Sequence, residues 1–171
     1  MESLSEAGIH FILVGGLAAV LNGAPIQTYD VDIVYSLDPQ NIDCLLTALQ
    51  SLDAVFRMQP ERRLRATKGH LSGGGHLNLL TRCGPLDLLA RIGQDLGFPE
   101  LLPHSVEMFI GGGIRIRVLD LETLISLKEH LAGEKDVAVL PILRQTLREI
   151  KQRKKSTAPR NDVGHDSSRD G

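Results

Sequence analysis

Apolar and polar positions along the chain fall into short β-type runs early and a helical period late. Residues 10–14, His-Phe-Ile-Leu-Val, form a β-rich run that stops at Gly15-Gly16, and the following Leu-Ala-Ala-Val-Leu-Asn has helical composition and closes on Gly23. This reads as strand, tight turn and helix. Residues 30–36, Asp-Val-Asp-Ile-Val-Tyr-Ser, are the next strand. Asp38 then offers an N-cap and Pro39 a first helical residue, with Ile42, Leu45, Leu46 and Leu49 recurring on one face, so a helix is predicted from residue 38 to about residue 52. Residues 57–76 are basic, weakly periodic and rich in glycine, which predicts a long exposed connection.

Residues 76–93 read as a hairpin around a Gly84-Pro85 turn, and residues 106–120 repeat the design around glycines 111–113. From Asp120, itself a candidate cap, the period is helical; Gly133 predicts a break, and Pro141 stands against a single unbroken second helix. Hairpins following a strand-helix unit imply an α/β (α+β) fold, a mixed β-sheet flanked by helices with a helical C-terminus. One domain is expected over residues 1–150. Residues 151–171 are expected to be a basic helix end and a disordered tail, with almost no apolar side chains to offset the entropy of ordering. That segment has six basic against three acidic residues, an excess that suits a solvated helix end better than a nucleic-acid arm.

Composition changes this picture little. With 42% hydrophobic and 23% charged residues in 171, and a formal charge of -2, the chain fits an ordinary soluble domain without a dedicated nucleic-acid surface. Its start has neither the basic residues nor the long apolar run of a signal peptide, so no membrane segment and a cytoplasmic location are expected. Cys44 and Cys83 lack CxxC spacing and read as core or half-buried residues rather than a disulfide or zinc ligands. His70 and His76 flank a glycine loop, while His10, His104 and His130 are scattered; solvated histidines are expected. Arg62, Arg63, Arg65 and Lys68 form a basic cluster that reads first as a solvated loop face and second as a contact for a nucleotide or RNA. No G-x-S-x-G nucleophile motif occurs.

The candidate chemistry lies in carboxylates. Asp30 and Asp32 alternate along a strand, so they share a face with Cα atoms about 6.6–7 Å apart and can converge on a divalent cation. Spacing alone is weak support, because 12 aspartates in 171 residues give roughly 0.8 D-x-D pairs by chance. Two further features add weight. Gly15-Gly16 ends a strand and opens a helix, an arrangement that lets backbone approach a phosphate, although a simple packing turn would look the same. Asp87 sits at the beginning of an apolar strand, where a carboxylate must face water, be paired or hold metal.

The order strand-Gly-Gly-helix, then T-x-D-x-D, then an aspartate between apolar residues on a later strand resembles the nucleotidyltransferase superfamily, in particular its minimal bacterial branch with AbiEii-type toxins and antibiotic-adenylylating enzymes. Residues 14–23, 28–34, 84–89 and 120–136 carry the resemblance. It implies that Asp30, Asp32 and Asp87 hold Mg²⁺ (or Mn²⁺) on an NTP, with Asp87 also helping to activate the acceptor hydroxyl. It further implies that Gly15, Gly16 and Thr28 line the nucleotide, and that Lys128 and Asp136 face the same cleft, Lys128 near the phosphates. The acceptor would be an RNA end, a protein or a small molecule, and a toxin paired with an antitoxin is one setting. Relatives commonly read K-x4-R-x-K-D, and the arginine position is Gly133 here. A catalytically weakened nucleotide- or metal-binding module of the same fold, acting through a protein partner, is therefore the second reading. Acceptor recognition is expected from the loop over residues 57–75 or from another chain.

Overall fold

The computed structural model describes residues 2–131 and 134–157. Nine strands and seven α-helices are formed by these residues: α1 (Glu2–Glu6), β1 (Phe11–Val14), α2 (Gly15–Leu21), β2 (Val31–Tyr35), α3 (Pro39–Ser51), β3 (Val55–Phe56), α4 (Lys68–Ser72), β4 (His76–Thr81), β5 (Gly84–Leu89), β6 (Arg91–Ile92), β7 (Leu96–Gly97), α5 (Phe98–Leu101), β8 (Ser105–Phe109), β9 (Arg115–Leu119), α6 (Leu121–Leu131) and α7 (Glu134–Thr157). Seven strands make one mixed sheet in the order β3-β4-β5-β2-β1-β9-β8, while β6 and β7 pair separately. The parallel pairs β2–β5 and β1–β9 join three antiparallel ribbons, so the predicted mixed sheet with flanking helices is what forms.

Ile12, Leu13, Ile33, Val34, Leu79, Leu88, Val118 and Leu119 are fully buried in the sheet, and the consecutive pairs among them show that its central strands are covered on both faces. Asp38 accepts from the N–H groups of Gln40 and Asn41 ahead of Pro39, the cap the sequence predicts for α3. Asp120 likewise accepts from Thr123 N–H at 2.7 Å and starts α6. The Asn22 amide donates to Ala18 and Leu119 carbonyls, tying the end of α2 to β9.

Several expectations are corrected. The stretch from residue 57 is a structured connection rather than a bare loop: β3 pairs with β4, a short 3-10 turn spans Pro60–Arg62, and Leu71 of α4 is fully buried, its carbonyl accepting from the buried Tyr35 hydroxyl at 2.8 Å. The first hairpin turns at Arg82 and Cys83, with Gly84 (φ +119°) and Pro85 already opening β5. Thr81 Oγ1 holds that turn, accepting from Cys83 N–H and donating to the Gly84 carbonyl. Pro85 precedes the Leu86↔Val31 pairing, so its missing N–H costs no bond to β2. Cys83 is consequently exposed, and Cys44 is half-buried. α7 runs through Pro141 as one helix, losing the single backbone bond that proline cannot donate. Gly133 and the tail from residue 158 lie outside the described residues. No helix among the described residues is long and apolar enough to cross a membrane.

Candidate functional site

Sheet register brings the acids together. Asp32 of β2 lies opposite Asp87 of β5 in the parallel pair, and both are side chains of one sheet face. Asp87 is the fourth residue of its strand, not the first, which places it level with Asp32 in mid-sheet. Asp30 precedes β2 by one residue, and Thr28 Oγ1–H donates to its Oδ1 at 2.7 Å. One carboxylate oxygen from each of Asp30, Asp32 and Asp87 falls within 4.8 Å of the others.

The two glycines make room for this cluster. An ideal Cβ on Gly15 would lie 2.0 Å from Asp32 Oδ2, and one on Gly16 would lie 2.6 Å from Thr28 Oγ1. Gly15 also sits at φ +66°, where a side chain is strained. The turn therefore admits Asp32 beside Gly15, and beside Gly16 it admits Thr28, which orients Asp30.

A cleft of about 400 Å³ opens beside the cluster, lined by Gly15, Gly16, Thr28, Asp30 and Asp32 together with Lys128 of α6. Ile26, Leu89, Ile92, Leu124, Leu127 and Val139 give it an aliphatic lining. The cleft thus joins carboxylates, a cation and an apolar surface. Asp136 belongs to α7, with its side chain outside those described.

The electrostatics favour a cation. Burial, then the carboxylates of Asp30 and Asp87, push the Asp32 carboxyl up from 3.8 to about 6, against the opposing pull of Lys128 and Arg57. Asp87 Oδ1 is buried and has no hydrogen-bond partner, a costly state for an acceptor that a bound cation would relieve. Three convergent oxygen donors, an orphaned carboxylate oxygen and mutual repulsion fit a hard divalent ion, so the cluster can hold such a metal.

Arg57 is the site residue that sequence patterning missed. Its Nη2 donates to Asp87 Oδ2 at 3.0 Å, and its backbone N–H donates to the Asn78 carbonyl at 2.9 Å. The only signal in the sequence is that Arg57 directly follows the apolar pair Val55-Phe56. The other basic residues of that stretch are engaged elsewhere: Arg63 and Arg65 both pair with Asp53, at 2.6 and 2.5 Å, Lys68 pairs with Asp43, and Arg62 bonds Gln59. These contacts match the solvated-face reading. His70 is exposed as expected but closes a capping box with Thr67 and meets the Phe56 ring edge-on, while His76 bonds the Arg91 carbonyl.

No protein-family model matches the chain, and a search of curated proteins finds no match. Solved structures do resemble it. The lincomycin-bound lincosamide antibiotic adenylyltransferase LnuA aligns with a TM-score of 0.55 at 15% identity, covering 85% of this chain and 92% of that one. A candidate nucleotidyltransferase from Thermotoga maritima aligns with a TM-score of 0.50 at 17% identity, covering 86% and 88%. The chain has a nucleotidyltransferase-like fold.

Proposed function

We propose that the chain is a metal-assisted nucleotidyltransferase that moves a nucleoside monophosphate from an NTP to a hydroxyl acceptor. The observation that carries this reading is the convergence of one carboxylate oxygen each from Asp30, Asp32 and Asp87 within 4.8 Å, with Asp87 Oδ1 buried and unpartnered, beside a cleft lined by Asp30, Asp32 and Lys128. Fold similarity to the adenylyltransferase LnuA supports it.

Asp30, Asp32 and Asp87 would hold Mg²⁺ (or Mn²⁺), which when bound supplies charge for the triphosphate and brings attacking and leaving oxygens into line. Gly15 and Gly16 line the cleft, where the triphosphate would lie against their backbone. The Lys128 ammonium would face the phosphate oxygens, and the aliphatic wall would pack on the base. The acceptor oxygen attacks the α-phosphorus, the bond to the bridging oxygen breaks, and pyrophosphate departs. Asp87 would help activate the attacking hydroxyl.

LnuA is described with lincomycin bound, which makes a small hydroxyl-bearing molecule the first acceptor to test beside an RNA end and a protein side chain. A toxin held by an antitoxin is one biological setting for such chemistry. Purified protein incubated with α-labelled NTP, Mg²⁺ and lincomycin, RNA or cell extract should label one acceptor, and Asp30→Asn and Asp32→Asn should abolish labelling while remaining folded. Calorimetric NTP binding without turnover would return the weakened binding module as the better reading.

A further inference from the structure

Five residues lie level across the sheet at the height of the acidic cluster. Arg57 is bonded through its backbone N–H to Asn78, Asn78 lies opposite Asp87, Asp87 opposite Asp32, and Asp32 opposite Val14. Arg57 therefore starts two strands away from Asp87, a separation of about 9–10 Å at sheet spacing, and its long side chain passes over Asn78 to reach the carboxylate. Its backbone bond extends the β3–β4 ladder by one residue, so the stem of this side chain is fixed by the sheet.

The two oxygens of Asp87 have divided roles. Oδ2 accepts from the guanidinium at 3.0 Å, whereas Oδ1 is buried without a partner. A single donor on one oxygen fixes the carboxylate's rotation and leaves the second oxygen available. This is the relation that outer hydrogen-bond donors have to ligating carboxylates. The Arg57 side chain is about a third exposed while that of Asp87 is largely covered, at 35% and 13%.

We infer that Arg57 is a positioning residue for the metal site: it holds Asp87 through Oδ2 so that Oδ1 is presented to the divalent ion. The inference rests on the metal-binding reading of the cluster. It assigns Arg57 a role that an arginine acting as a competing internal cation would not have, and the two predict opposite signs.

Mn²⁺ binding to the full chain without nucleotide, read by calorimetry, separates them. Arg57→Met should weaken Mn²⁺ binding by about 10- to 100-fold, and Arg57→Lys, which keeps a charged donor, should fall between that variant and wild type. Arg63→Met, which breaks an ion pair with Asp53 away from the cluster, should leave the affinity unchanged. Should Arg57→Met not fold, Arg57→Lys alone decides, weaker binding supporting the inference. Arg57 variants that bind Mn²⁺ as tightly as wild type, or more tightly, overturn it while leaving the metal site in place. A wild-type chain that binds no Mn²⁺ overturns the site and the inference together, and wild-type binding that depends on Arg57 without nucleotidyl transfer overturns only the proposed reaction.

Discussion

Gly15 and Asp32 compete for one space: a Cβ on Gly15 would lie 2.0 Å from Asp32 Oδ2 and 2.7 Å from its Cγ. The glycine is required twice, once by this approach and once by its left-handed backbone at φ +66°. Gly15→Ala should lose about 1–2 kcal/mol to backbone strain and, in addition, displace a carboxylate of the cluster. Gly8→Ala is the matched control, with φ +64° and no atom within 4 Å of its Cβ. Urea unfolding should show a cost for both variants, whereas Mn²⁺ calorimetry should show lost affinity for Gly15→Ala alone. Wild-type affinity in Gly15→Ala would mean that Asp32 can vacate this space without leaving the site.

The raised carboxyl of Asp32 sets a pH dependence whose sign is opposite to that of a salt-bridged aspartate. With a folded value of about 6 against 3.8, the native state keeps a proton that the unfolded chain releases. Native stability therefore falls as pH rises from about 4 to about 6, by up to about 3 kcal/mol for this group, and is flat above. Metal-free wild type should lose this amount relative to Asp32→Asn across that window in denaturant titrations. Mg²⁺ at about pH 7.5 should restore it to wild type only. Parallel curves for the two proteins would refute the assignment of burial and repulsion at Asp32.

Asn41 binds three backbone groups from inside the fold. It accepts from His10 N–H at 2.7 Å and donates to the His10 and Ser36 carbonyls at 3.1 and 2.8 Å, and it is 5% exposed. Asn41→Leu keeps the volume but strands all three partners, which should cost about 2–4 kcal/mol. Thermal and urea unfolding measure this directly. A loss below about 1 kcal/mol would indicate that water reaches these groups. The residue lies away from the acidic cluster, so Mn²⁺ affinity should be retained.

In the proposed reaction Lys128 acts on the nucleotide rather than on the metal. Lys128→Met should weaken NTP binding in the presence of Mg²⁺ by about 10- to 100-fold, the range of one charge-assisted bond. Mn²⁺ affinity without nucleotide should be kept or raised, since a positive charge near Asp32 is removed. Equal losses for metal and NTP would instead give Lys128 a role in building the cluster.

Much of this arrangement is legible along the chain because it is local. Alternation puts Asp30 and Asp32 on one face, Asp38-Pro39 starts α3, and Gly15-Gly16 ends a strand, each within a few residues. Arg57 is not local: it reaches Asp87 only because β3, two residues long, pairs with β4 and brings position 57 level with Asn78. Val55-Phe56 is too short to show a period, so the stretch after it reads as loop. Asn41 is equally hidden, since its position in α3 looks polar and exposed until the His10 backbone is folded against it. The turn at Arg82 and Cys83 escaped because Gly84-Pro85 imitates a turn signal, whereas both residues serve the strand.

Transfer of label from an α-labelled NTP tests the central claim most directly. The full chain with Mg²⁺, the four NTPs in turn and a panel of hydroxyl acceptors should release pyrophosphate and move label to one acceptor class, with Asp32→Asn folded but inactive. Absence of label on every acceptor, together with no thermal shift toward the roughly 2.7 kcal/mol of added stability expected from NTP at a hundredfold excess over its dissociation constant, would contradict it.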